Sequence, residues 1–262
     1  MRGLVFGEVA HDYDRVRPDY PAQLFDDVLA FARLEDGGPV LDIGAGTGRA
    51  ALALAARGAA VTALEPDPAM AAVLTARAAQ KIRVEIASLE TFTPPAQRFG
   101  LATAAQSWHW TDPATRHEKV AALLRREGAL ALFWNRDWLA DPALAEAQLA
   151  VHRDIAPGMD PSLGPVAERE YPELPDLAEH PAFTGVERRI YRWTRRLRRE
   201  DTLTLLSTHS EYRMLPGATR RLLFEALRPL LPDTVEFAGG TVLFLARRDD
   251  ADPPLVTVSG SG

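Results

Sequence analysis

The chain has 262 residues, 47% hydrophobic and 25% charged, with a formal net charge of −6. That composition suits a globular protein able to bury a substantial core, and its acidity argues against a general nucleic-acid or anionic-membrane surface. The lack of cysteine excludes disulfides, thiolate nucleophiles and cysteine-ligated metals. No run approaches the roughly 18 apolar residues of a membrane helix and no secretory core opens the chain, so a cytoplasmic location is expected.

In chain order, Arg17-Pro18 and Tyr20-Pro21 disfavour helix before residue 21. Pro21 then opens a helix to about Arg33, with Leu24, Phe25, Val28, Leu29 and Phe31 on one face. Val40-Leu41-Asp42-Ile43 is a short, mostly apolar run that meets Gly44, Gly46 and Gly48, followed by an Ala/Leu-rich segment to Arg57. An apolar run halted by glycines and followed by a helix former predicts a buried parallel strand, a tight turn and a helix. Such a turn lets a ligand lie against bare backbone.

Its ligand is decided by neighbours. Gly44, Gly46 and Arg49 miss the G-x-G-x-x-G dinucleotide pattern, whereas Gly46, Gly48 and Ala51 fit the looser G-x-G-x-x-A form. Asp42 stands against a pyrophosphate at the turn, since a carboxylate repels it and attracts an ammonium group. S-adenosyl-L-methionine carries an amino group and a sulfonium and no phosphate. The next strand, Ala60–Leu64, ends in Glu65, an acid suited to two ribose hydroxyls in either kind of nucleoside site.

Asp67-Pro68 starts a helix that ends near Gln80, and Ile82–Ile86 alternates like a strand. Leu101–Ala105 predicts a fourth strand, Asp112-Pro113 caps a helix to about Glu127, and Gly128–Trp134 is a fifth strand. Residues 139–182 break the alternation with a helical piece, Leu144–Ile155, and six prolines from Pro157 to Pro181, which predicts an inserted cap. His152, Tyr171 and Trp138 are either cap lining or ordinary packing. Val186–Arg199 alternates imperfectly and is crowded with arginines: either an RNA or acidic-ligand surface, or solvated strand faces paired with local acids. Asp201 caps Thr202–Leu206, Gly217–Leu231 is helical, and Val235–Phe237 with Thr241–Ala246 forms a closing hairpin. The tail from Val256 is expected to fray.

Val40–Gly48 with Glu65 resembles the first two motifs of class I S-adenosylmethionine-dependent methyltransferases. Phe6, Ala10, Tyr13, Arg17-Pro18, Tyr20-Pro21, Gln106–Trp110 and Leu205–Ser210 resemble a subgroup that includes trans-aconitate and quinone-biosynthesis C-methyltransferase-like proteins. The resemblance implies one α/β domain over residues 1–262. Its Rossmann-like, seven-stranded, mostly parallel sheet has an antiparallel last strand, helices on both faces and a small helical cap, and an N-terminal arm and helix (1–35) fold over the cofactor. It further implies that Asp42 holds the cofactor's amino end, Glu65 its ribose, and Ser88 with Leu89 its adenine. Gly44, Gly46 and Gly48 admit the backbone, Gln106 touches the cofactor, and Tyr13 and Arg17 stand near its carboxylate. Trp108 and Trp110 wall the transfer cavity. His109 either accepts a proton from a small-molecule acceptor or shapes the pocket, and His209 is a second base candidate. No metal is expected. Two alternatives stay open: an NAD-dependent oxidoreductase using the Gly46 frame, and a non-catalytic cofactor-binding or RNA-associated protein.

Overall fold

The computed structural model describes residues 14–78, 81–94, 96, 98–159, 161 and 174–249. Seven strands form one sheet in the order β3-β2-β1-β4-β5-β7-β6. The parallel part comprises β1 (Pro39–Ile43), β2 (Ala60–Leu64), β3 (Ile82–Glu85), β4 (Phe99–Ala105) and β5 (Leu124–Leu139), while β7 (Thr234–Arg248) runs antiparallel between β5 and β6 (Phe183–Arg198). Val40 to Ile43 are all buried, as both covered faces of a parallel strand require.

Helices α1 (Ala22–Ala32), α2 (Arg49–Ala55) and α3 (Pro68–Ala78) send Leu24, Val28, Ala51, Leu54 and Leu74 into one core layer. On the opposite face α4 (Arg116–Leu123) packs Val120 and Leu123 against Leu41, Leu130 and Leu132. A third core lies beyond the parallel sheet. There α5 (Pro142–Ile155), α7 (Arg199–Ser207), α8 (Ser210–Arg213) and α9 (Gly217–Leu227) gather around Leu139, Val235 and Phe237, after the short α6 (Pro175–Ala178). No helix among the described residues is long and apolar enough to cross a membrane.

Two expected boundaries are corrected. The helix expected to reach Glu127 stops at Leu123: Leu124 is extended, fully buried and paired with Phe99. The expected closing hairpin is instead one strand of 15 residues running straight through Gly239-Gly240. Those glycines look like a turn in the sequence, but Gly239 sits opposite Trp193, and a Cβ there would lie 2.5 Å from the indole ring. The glycine makes room for a cross-strand aromatic. Of the cap region, α5 and α6 are described; residues 160 and 162–173, Tyr171 among them, lie outside the described residues.

Gly239→Ala therefore overpacks a straight strand against a rigid ring. It is expected to cost about 1–3 kcal/mol, read by urea unfolding, with Trp193→Ala in the same chain making the added methyl harmless.

Candidate active site

β1 and β4 are neighbours although the chain visits β2 and β3 between them, so a crevice opens at their carboxyl ends. A cleft with a cavity volume of about 160 Å³ lies there. Its walls include Gly44, Gly46, Glu65, Ser88, Leu89, Gln106 and Trp110, to which the sequence reading assigned a site role, and Tyr20, Arg49 and Met70, to which it assigned none.

Glu65 organises the cleft. Its Oε2 accepts the Gly46 N–H at 2.7 Å and its Oε1 the Asp67 N–H at 2.8 Å. One carboxylate thus ties the glycine turn to the end of β2. Burial pushes its pKa up, against the two backbone donors that hold it down. Each carboxylate oxygen keeps further lone pairs, so ribose hydroxyls can be added to the backbone bonds.

The glycines divide the work. Gly44 passes so close to Ser107 that a Cβ would stand 2.5 Å from that side chain, and Ser107 Oγ donates to the Ile43 carbonyl. Gly48 (φ 92°) packs against Leu74 and does not line the cleft. Gly46 lines the cleft, and nothing lies within 4 Å of where its Cβ would be.

Asp42 is placed differently from expectation. It is fully buried beneath the turn and does not line the cleft. Its Oδ1 accepts Thr103 Oγ1 at 2.7 Å, and its Oδ2 has no hydrogen-bond partner. Burial pushes its pKa up to about 6, with Glu65 adding to the rise and the Thr103 and Ala51 donors opposing it. Asp42 thus lies beneath the turn, one layer behind the residues that line the cleft.

Leu89 is buried in the cleft wall, and Ser88 is fastened by Thr91 Oγ1, which accepts its backbone N–H at 3.1 Å. Gln106 stands in the left-handed region (φ 59°), with its N–H on Phe133 O and its Nε2 on Asn135 O at 3.1 Å. Such a conformation in a non-glycine residue is costly and clusters at functional sites. Gln106 also lines a second cavity, with Arg17, Asn135, Arg136, Asp137, Trp138 and His209 among its walls. The two cavities share that one side chain.

The remaining expected residues are scattered. Arg17 faces the second cavity and not the cleft, its Nε and Nη2 donating to Thr208 Oγ1 and O at 3.0 and 2.9 Å. Tyr13 lies outside the described residues. His109 is exposed, leans on Trp110 with ring centroids 4.7 Å apart, and lines neither cavity. Trp108 turns into the core against His117, so Trp110 alone of the two walls the cleft. His152 is buried between Gln148 O and Tyr212 Oη, as packing requires.

Residues 14–20 form a clasp whose contacts no sequence pattern marks. Asp14 Oδ1 accepts from Thr47 Oγ1 at 2.9 Å and pairs with Arg77, while Arg49 pairs with Asp19. Asn135 Nδ2 donates to Pro18 O and Asp19 O at 3.3 Å, and its Oδ1 receives Thr241 Oγ1. Isolated arginines and aspartates carry no spacing signal, so only the fold reveals this set.

Comparison with known proteins decides the family. A methyltransferase-domain family profile matches residues 40–128. An uncharacterized methyltransferase of Mycobacterium tuberculosis is 31% identical over 229 residues, 87% of this chain and 86% of the relative. The chain belongs to the class I S-adenosylmethionine-dependent methyltransferases. A ribosomal RNA small subunit methyltransferase A of Anaeromyxobacter dehalogenans is 32% identical over 162 residues, covering 52% of this chain and 57% of that one. Among solved structures, a protein from Anaeromyxobacter dehalogenans described as a type II methyltransferase superposes with a TM-score of 0.63 at 22% identity, over 88% of this chain and 97% of that one. The YcgJ protein of Bacillus subtilis does so at 0.54 and 18%, over 88% and 100%. These structures share the fold of the methyltransferase described here.

The Asp42 carboxyl gives a pH signature. The fold prefers its protonated form, so its burial costs nothing extra below 3.8 and costs progressively more as pH rises from 3.8 to about 6. Asp42→Asn keeps the acceptor for Thr103 and removes that cost. Above the window the variant is expected to be the more stable by up to about 3 kcal/mol, with the two proteins converging below it; denaturant melts on both sides of the window check this.

Proposed function

We propose that this methyltransferase binds S-adenosyl-L-methionine in the cleft between the ends of β1, β2 and β4, and passes its methyl group to a small-molecule acceptor in the adjoining cavity. The observation that carries the reading is Glu65: a nearly buried carboxylate at the end of the second strand, open to the cleft and already engaged with the glycine turn. Its oxygens take the ribose hydroxyls. Gly44 and Gly46 let the cofactor lie on the backbone, and Ser88 and Leu89 receive the adenine. Gln106 stands where cofactor and acceptor meet. Asp42, one layer below, biases the turn toward an ammonium group and against a phosphate.

The reaction is an in-line displacement at the sulfonium methyl carbon: the acceptor's electron pair forms the new bond as the C–S bond breaks and its pair returns to sulfur. The leaving group is built into the cofactor, so the chain supplies alignment and water exclusion. Leu89 and Met70 present apolar surface to the cleft, and the exposed indole of Trp110 offers a π face tolerant of a sulfonium. His109 lines neither cavity, which argues against its accepting a proton from the acceptor. A general RNA surface finds no support in the arginines of β6: Arg189, Arg195, Arg196 and Arg198 pair with Glu187, Asp137, Glu236 and Asp201.

Calorimetry with S-adenosylhomocysteine and NAD tests the reading. The first is expected to bind and the second not; NAD binding without S-adenosylhomocysteine binding would overturn it. Gly46→Ala, whose methyl projects into the cleft at a positive φ, is expected to cost about 1–2 kcal/mol of stability and to weaken S-adenosylhomocysteine at least about tenfold.

A further inference from the structure

The second cavity contains a polar atom that methyl transfer at the cleft leaves unused. His209 lines that cavity half-buried, and its Nε2 is itself buried with no hydrogen-bond partner. Buried polar atoms are nearly always bonded, so an orphaned ring nitrogen on a cavity wall marks a place where a ligand supplies the bond.

The charges around it say what kind of ligand. Burial holds the His209 imidazole neutral, well below its ordinary range, and the cations Arg17 and Arg195 push the same way. Arg17 stands on the cavity wall with its guanidinium oriented by Thr208. Arg195 lies behind, its Nη2 on Asp137 Oδ2 at 2.7 Å and its Nη1 on Val16 O at 2.8 Å. Of the two acids on the walls, Asp137 is thus already engaged, and Glu211 is exposed. The interior end of the cavity therefore presents positive charge and an unpaired nitrogen. A neutral imidazole flanked by two cations is a poor proton acceptor but a good donor in its Nε2–H tautomer.

We propose that the second cavity takes the methyl acceptor by an oxyanion, a carboxylate or phosphate group, received between the Arg17 guanidinium and the Nε2–H of His209. The inference rests on reading the first cleft as the cofactor site. The anchored group sits at His209, and the rest of the acceptor reaches the cleft past Gln106, the side chain common to both cavities. His209 and Arg17 are then specificity residues, which discriminate against uncharged analogues because those leave the buried nitrogen unpaired.

The test follows the His209 ring directly. Protein labelled with 15N at histidine, at constant ionic strength, is titrated with succinate, inorganic phosphate and uncharged succinamide, and the His209 resonance is identified by its loss in His209→Gln. One of the two anions is expected to shift the resonance saturably where succinamide does not, and which one does so tells carboxylate from phosphate. Arg17→Met, which leaves the ring in place, is expected to weaken that anion about tenfold or more. No response to either anion, an equal response to succinamide, or an unchanged anion affinity in Arg17→Met would overturn the proposal. Titration of the same sample with S-adenosylhomocysteine reads the cleft separately, so failure of the cofactor reading and failure of the anion site give different results.

Discussion

One carboxylate holds the working edge of this protein together. Glu65 closes the second strand and spends its two oxygens on the amides of Gly46 and Asp67, so the glycine turn, the end of β2 and the start of α3 share a single acceptor. Parallel pairing makes this work: Ile43 aligns with Leu64, which brings the ends of β1 and β2 to the same level. Asp67 then caps α3 through the Ala69 amide at 2.8 Å. From that point the cleft follows geometrically, since Ser88, Leu89 and Gln106 come from the ends of the flanking strands.

Asp42 and Glu65 show how position changes the meaning of one functional group. Both are acids at strand ends of the same sheet edge, and Glu65 raises the cost of charging Asp42. Glu65 faces space and backbone donors together. Asp42 faces the interior, where only Thr103 and a backbone amide oppose its desolvation. Such a group is retained at a cost in stability, which is the pattern expected where function constrains a buried charge.

Much of this was legible in the sequence. Val40–Gly48 announced strand, turn and helix because apolar run, glycines and helix former follow one another, and Glu65 could be placed because the second strand is short and mostly apolar. Gly44, Gly46, Ser88, Leu89 and Gln106, which the sequence singled out, all line the cleft. Orientation was not legible. Trp108 and His109 are adjacent on a 3-10 turn, yet one fills the core and the other faces solvent. Asp42 could not be known to point downward, because alternation in a strand buried on both faces leaves no polar side to read. Gly239-Gly240 imitated a turn because the bulk they accommodate, Trp193, is 46 residues away in sequence. The arm's contacts with Thr47, Arg77 and Asn135 are long-range pairings with no local pattern.

The layout also explains why two cavities meet at one strained residue. Gln106 follows β4, and its left-handed backbone sends its side chain across to β5, where Asn135 O receives it. Asn135 in turn holds the arm at Pro18 and Asp19. The wall between cleft and second cavity is thus one hydrogen-bonded relay from β4 through β5 to residues 14–20.

The proposed cofactor site depends on the Glu65 carboxylate as the acceptor for the ribose hydroxyls. A double-mutant cycle tests it most directly: calorimetric affinities of S-adenosylhomocysteine and its 2′-deoxy analogue for the wild-type chain and for Glu65→Gln. Removing the hydroxyl is expected to cost at least about tenfold in the wild type and almost nothing in the variant. Equal losses in both proteins would contradict it, because the ribose would then be held elsewhere.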